Sequence, residues 1–296
     1  MHVGHVRIFA EVLEIARRAG WRSIALTFDP HPTRVVAPER APRLLTTTEA
    51  RLVLMEQTGL EAALVLPFTP AVARLEPEEF VRSIVVGTLG ARAVVVGANF
   101  RFGRGQSGNV DALQDYGRRL GFEVRVVEPV SCRGELVSSS RIRRLITEGQ
   151  VARARPLLGR PYTVEGKVVR GAGRGSRQTV PTLNLAPETE VLPARGVYVT
   201  TALDPDSGRR WPAVTNLGVR PTFGPDEEVS VETYLLRPLA GPDPERLSLA
   251  FYHRLREERK FAGAAELRAQ ILRDVERSET FFRRLEAAQL NKEKVS

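Results

Sequence analysis

Apolar positions in the first half of the chain recur at two spacings. Ile8, Phe9, Val12, Leu13, Ile15 and Ala16 follow a period near 3.6, which predicts an amphipathic helix over 5–19 stopped by Gly20. Residues 23–28 read as a strand. A helix over 48–58 follows, with Thr47 or Thr48 as its cap, and then a short apolar run over 62–66. The helix predicted over about 77–88 has Pro in its first turn and acids beside it. Residues 93–96 read as a strand buried on both faces. A helix over 109–120 and a strand over 123–128 come next. Ser138-Ser139-Ser140 caps a further helix, and 151–158 reads as a short one before the linker Gly159-Arg160-Pro161. Strands alternating with helices predict a parallel sheet covered by helices, with ligands at the carboxyl ends of the strands.

The texture then changes. Strands are predicted over 162–169, 181–186, 196–203, 211–217, 229–236 and 247–254, with no helices between them. Six such strands predict an antiparallel barrel. A helix over about 262–284 closes it, with Leu267, Ile271, Val275 and Phe282 on one side. The domains expected are 1–158 and 159–288, followed by a polar tail over 289–296.

Composition adds bounds. With 296 residues, 42% of them hydrophobic and 27% charged, the chain is sized for two soluble domains. No run of ~20 apolar residues is present, and the first residues lack the basic-then-apolar order of a signal peptide. Cys132 is the single cysteine, so no internal disulfide forms. A cytoplasmic protein is expected. The net charge of +9 permits nucleic-acid binding. The excess is mostly arginine spread along the chain, which suits handling of anionic small molecules equally well.

Several stretches carry candidate chemistry. His2-Val3-Gly4-His5 opens the first helix, where free N–H groups and the dipole favour anions, so His2 and His5 are placed to meet phosphate oxygens. An ordinary surface histidine pair would look the same. Phe28-Asp29-Pro30-His31-Pro32 follows a strand on the ligand side. Asn99-Phe100-Arg101-Phe102-Gly103 follows another and enters a Gly-rich loop. Arg141, Arg143 and Arg144 oppose the dipole of the helix begun at Ser138–Ser140, a cost that makes sense with phosphates between them. Arg170-Gly171-Ala172-Gly173-Arg174-Gly175-Ser176 is either a phosphate loop or a hairpin loop. Thr182 and Asn184 alternate on one strand face, so both can reach one ion.

HxGH, FDPHP, GANFRFG and SSSRIR together resemble the nucleotidyltransferase half of the bacterial bifunctional riboflavin kinase/FAD synthetase family. Val180-Pro181-Thr182-Leu183-Asn184, Asn216-Leu217-Gly218-Val219-Arg220-Pro221-Thr222-Phe223 and Val231-Glu232-Thr233-Tyr234 resemble its kinase half. The resemblance covers residues 1 to about 285. It implies a Rossmann-like nucleotidyltransferase domain, then a six-stranded antiparallel riboflavin kinase barrel with a C-terminal helix. The implied reactions are riboflavin to FMN with ATP, and FMN to FAD with release of pyrophosphate.

By the same resemblance, Glu232 is the general base of the kinase. Thr182 and Asn184 hold Mg²⁺ and the ATP phosphates, with Gly171, Gly173 and Gly175 in the phosphate loop. His2 and His5 act on the transferring phosphate, and Ser139, Ser140 and Arg143 on the leaving pyrophosphate. His31, Asn99, Phe100, Arg101, Phe102 and Arg256 face flavin. Riboflavin, FMN and ATP are the expected partners, with no membrane or nucleic acid, and a homo-oligomer is left open. The sequence departs from the family in four places. The strand and Gly-x-Phe-Asp-Gly-Val that precede HxGH in the family have no counterpart before His2, so two unpaired sheet edges are expected. Asn99 replaces Asp, Thr179-Val180 replaces Gly-Phe, and Arg237-Pro238 replaces Asp-Phe. Three other readings stay on the page. They are a kinase only, a different adenylyltransferase, and a basic nucleic-acid-binding protein; the last is disfavoured by an aromatic content of 6%.

Overall fold

The structure is a computed structural model, and it describes residues 1–169, 182–220, 228–239, 241–259 and 261–293. The chain divides into two compact units, Met1–Ser139 and Ser140–Ser296.

The first unit opens with α1 (Val3–Ala19), capped by His2 and ended by Gly20 in the left-handed region at φ 67°. Then come β1 (Ile24–Asp29), α2 (Pro32–Val36), α3 (Thr48–Glu56), β2 (Ala62–Pro67), α4 (Pro70–Arg74) and α5 (Pro77–Phe80). The helix expected over 77–88 widens to π-helical turns over Val81–Thr88, where Thr88 Oγ1 donates to the Ser83 carbonyl five residues back. The unit continues through β3 (Ala93–Gly97), α6 (Val110–Leu120), β4 (Glu123–Val127) and the small hairpin of β5 (Ser131–Cys132) and β6 (Glu135–Leu136).

β1 pairs in parallel with β2, and β3 in parallel with β4, but among the described residues nothing pairs β1 with β3. β1 and β3 therefore each keep one open edge. The core is split accordingly. Ala25, Met55 and Leu60 form one cluster with Phe9 and Leu13 of α1. Phe80, Val81, Val96, Phe102, Leu113 and Phe122 form the other.

The second unit begins with α7 (Ser139–Thr147) and α8 (Val151–Leu158). Both were read from the sequence as the end of the first domain. Ile142, Leu145 and Ile146 of α7 are fully buried, and α8 packs on β7 and β12 of the barrel. The strands are β7 (Tyr162–Val169), β8 (Thr182–Pro187), β9 (Gly196–Leu203), β10 (Arg210–Arg220), β11 (Glu228–Leu235) and β12 (Arg246–Arg256). They close in the order β10-β11-β8-β7-β12-β9, every pair antiparallel, so no edge remains. Apolar side chains such as Val164, Tyr198, Leu217, Val231, Leu249 and Phe251 fill the core. Thr200, Thr215 and Thr233 satisfy one another there through hydroxyl contacts of 2.8 and 3.0 Å.

The closing helix, α9 (Ala264–Glu293), corrects two expectations. It runs into the residues read as a polar tail, because Glu286, Ala287, Ala288, Gln289 and Leu290 are all good helix formers. Its buried stripe is also not the apolar one. Leu267 is 38% exposed, while Gln270, Asp274 and Ser278 are buried alongside Phe282.

Candidate functional site

In the first unit a cavity of about 930 Å³ lies between the open edges and reaches the carboxyl ends of β1 and β3. Its size fits a nucleotide or flavin. His5, His31, Phe100, Arg101 and Phe102 all line it, so the structure gathers five of the residues singled out in the sequence. His2 and Asn99 are not among the lining residues, and Asn99 is exposed.

His2 is the N-cap of α1 in an extended conformation. Its backbone N–H donates to His5 Nδ1 at 3.2 Å, and the two rings lie 3.9 Å apart. Because Nδ1 accepts, the neutral His5 ring carries its proton on Nε2. Burial, then the neighbouring His2 charge and the chain's amino group, push the His5 pKa down to about 3. His5 is therefore a neutral hydrogen-bond donor at pH 7 rather than a cation. His31 caps α2 in the same manner, its Nδ1 accepting from Thr33 N at 3.2 Å.

Phe100 and Phe102 stack with centroids 5.5 Å apart. Phe102 belongs mainly to the core, against Phe80, while Phe100 is the more open ring. Arg51 also lines the cavity and was missed, because an arginine on a helix reads as solvated. Its guanidinium donates to Thr27 Oγ1 at 2.8 Å, to the Phe28 carbonyl at 3.3 Å and to Thr48 Oγ1 at 3.1 Å. It ties the start of α3 to the carboxyl end of β1. Ser139 and Ser140 open α7; Ser140 is exposed, and Arg143 one turn on is half-buried.

In the second unit the register of the barrel makes the other site. Asn184 of β8 stands opposite Glu232 of β11, which stands opposite Asn216 of β10. Directly paired residues share a face, so the carboxylate is flanked by two amides. Thr182, two residues before Asn184, lies on that same face and is exposed, while Asn184 is 7% exposed. The row continues from Asn216 to Val197 and then to Arg256 at the end of β12. A Cβ at Gly218 would lie 2.5 Å from Glu258 Oε1 and 3.3 Å from Asn216 Nδ2. Only glycine lets the Glu258 carboxylate rest there, beside Asn216. Gly171, Gly173 and Gly175 lie outside the described residues.

Arg256 is held in place. Its Nε donates to Asp274 Oδ2 at 2.9 Å, its Nη2 lies 2.9 Å from the same oxygen in the ion pair, and Nη1 donates to the Glu257 carbonyl at 3.1 Å. The Arg237-Pro238 departure is accommodated simply. Leu236 N donates to the Pro212 carbonyl at 2.8 Å, and Arg237 reaches Glu279 of α9 at 3.6 Å on the surface. Asn216 was within a stretch noted in the sequence, but only the strand register shows it beside Glu232. Glu258 and Asp274 left no sequence signal beyond a charge run and a polar helix position.

A helix N-terminus with two histidines at the ends of parallel strands, joined in one chain to a barrel carrying an amide-flanked glutamate, defines a two-domain enzyme of phosphate transfer. Family models agree half by half: FAD synthetase matches residues 1–141, and riboflavin kinase matches residues 158–282. The bifunctional riboflavin kinase/FMN adenylyltransferase of Pseudomonas fluorescens is 34% identical over 281 residues, covering 93% of this chain and 88% of that protein. The protein of the same description from Listeria monocytogenes is 33% identical over 97% of this chain and 90% of its own length. A crystal structure of a Streptococcus pneumoniae protein described as a macrolide-efflux protein superposes with a TM-score of 0.83 at 27% identity, over 94% of this chain and 90% of that one. The chain belongs to the bifunctional riboflavin kinase/FMN adenylyltransferase family. Among its described residues, no helix is long and apolar enough to cross a membrane.

Proposed function

We propose that the two reactions of the family use separate sites of this chain, FMN formation on the barrel and FAD formation in the first unit's cavity, with the domain junction near residue 158. The observation that carries the first assignment is Glu232 between Asn184 and Asn216. Glu232 takes the proton of the riboflavin 5′-hydroxyl as that oxygen attacks the γ-phosphorus of ATP, and ADP leaves.

Magnesium fits this donor set. Thr182, Asn184 and Glu232 offer only oxygen, and the described residues hold no group of three His, Cys, Asp or Glu that would cage a metal by itself. A hard cation held by one or two side chains and by the ATP phosphates matches that chemistry. When bound, it neutralises charge on those phosphates. Gly171, Gly173 and Gly175 take the phosphate-loop role on the resemblance alone.

In the second reaction a phosphate oxygen of FMN attacks the α-phosphorus of ATP, and pyrophosphate leaves. His5 donates from Nε2 to the charge that develops on the transferring group, and His2 orients His5 through its backbone N–H. On the resemblance alone, Ser139, Ser140 and Arg143 take the role of neutralising the leaving pyrophosphate. Phe100, with Phe102 behind it, His31 and Arg101 take the flavin, with Asn99 at the exposed margin. Arg256 takes the flavin on the barrel.

The test is a product assay with riboflavin and Mg-ATP. Wild type yields FMN and FAD. Glu232→Gln loses FMN formation by about 10²–10⁴-fold, the usual worth of a general base, yet still converts supplied FMN to FAD. FMN formation by Glu232→Gln at the wild-type rate overturns the assignment. FMN without FAD from wild type restricts the chain to its kinase step.

A further inference from the structure

Helix α9 buries a carboxylate that the chemistry above does not use. Asp274 is 2% exposed and sits on the face that packs against β9 and β10. A buried carboxylate persists only when its charge is matched and its oxygens are hydrogen-bonded. Both oxygens of Asp274 are. Oδ2 accepts from Arg256 Nε and pairs with its Nη2, both at 2.9 Å, and Oδ1 accepts from Gln270 Nε2 at 2.8 Å. Gln270 Oε1 accepts in turn from Arg259 Nη2 at 2.8 Å. The two arginines also lie over the Phe261 ring, 5.6 and 4.8 Å from its centroid. One carboxylate and one amide of α9 thus hold both arginines of the segment 256–259. That segment carries Glu258, whose carboxylate rests against Gly218 beside Asn216, and Asn216 faces Glu232.

We propose that Asp274 is a positioning residue of the riboflavin kinase reaction: through Arg256 it fixes the segment 256–259 against the Asn184–Glu232–Asn216 row, where the flavin substrate is bound. The assignment rests on the kinase site described above. The physical reason is order. Left unanchored, a stretch of four long charged side chains has many conformations, and binding flavin against it costs the entropy of choosing one. Anchoring two of them beforehand on a rigid helix removes that cost before the substrate arrives. The effect therefore falls on riboflavin affinity rather than on the phosphoryl-transfer step or on ATP.

Three variants of the full chain test this, with Asp274→Asn removing the charge at constant shape. Its KM for riboflavin rises about tenfold, while kcat and the KM for ATP stay within about twofold. Asp274→Glu, which keeps the charge, recovers most of the affinity. Ser278→Ala is the packing control. Ser278 is fully buried one turn further along and donates to the Asp274 carbonyl at 2.8 Å, but it does not bond Arg256. Conversion of supplied FMN to FAD and the melting temperature are read on every sample. The proposal is overturned if Asp274→Asn changes kcat rather than the riboflavin KM, or if Ser278→Ala raises that KM equally. It is also overturned if Asp274→Asn leaves every constant at the wild-type value. Wild type that makes no FMN at all overturns the kinase site itself, and the positioning role with it.

Discussion

His5 offers the sharpest quantitative test, because its environment fixes its charge. The ring is held neutral by burial and by the charges of His2 and the amino group, with a pKa of about 3 against 6.5 when exposed. Between those values the unfolded chain binds a proton that the folded chain does not, so stability must fall as pH falls. From pH 7 to pH 5 this one group costs about 2 kcal/mol, and the figure hardly changes for any folded pKa below 4. Replacing His5 with Gln removes the titration and keeps a donor near Nε2. Urea melts of both proteins at pH 7 and pH 5 isolate the term, since His31 and every carboxylate are common to both. Wild type should lose about 2 kcal/mol more than the variant across that interval. On a unit of this size the difference is about 4–8 °C in melting temperature. Equal losses in the two proteins refute the neutral His5, and with it the account of His5 as an uncharged donor to the transferring phosphate.

Other outcomes follow from contacts already described. Gly218→Ala should fold with little change in melting temperature, because the atom it meets is the mobile end of Glu258, but steady-state assays should show weaker riboflavin binding. Gly108→Ala meets the Phe102 ring at 2.9 Å, in the core of the first unit. It should cost about 1–3 kcal/mol in denaturant melts and impair FAD formation more than FMN formation. Arg51→Met removes two hydrogen bonds from α3 to β1 and one within α3, and should lower FAD formation through the KM for substrate while the barrel's kinase activity is unchanged. A matched loss of both activities would show that Arg51 serves folding alone.

Much of this was legible in the sequence, for identifiable reasons. The 3.6-residue period of Ile8 to Ala16 and the stop at Gly20 set α1, and the six strand-length runs set the barrel. The His2–His5 pair was singled out for its helix N-terminus, and His31, Phe100 and Arg101 for loops after parallel strands; His5, His31, Phe100 and Arg101 line the cavity, and His2 does not. What stayed hidden depends on contacts distant in sequence. Asn216 is significant only because β10 pairs with β11 in one register. Asp274 sits among residues that look solvated, and its value comes from Arg256, 18 residues earlier on another element. The apolar stripe misled on α9 because ion pairs and an amide replace hydrophobic packing along its buried face. Phe102 read as a free stacking ring because Phe80 and Gly108, which enclose it, come from other segments.

The two halves also differ in what they ask of the solvent. The barrel satisfies every strand with its own neighbours, so its integrity is an internal matter. The first unit is two separate ribbons of two strands each, and isolated ribbons of that width are marginal in water. Each presents unspent backbone donors and acceptors toward the same apolar gap. The first unit therefore relies on the helices laid over those ribbons, α1 against β3 and α6 against β4, rather than on one continuous sheet.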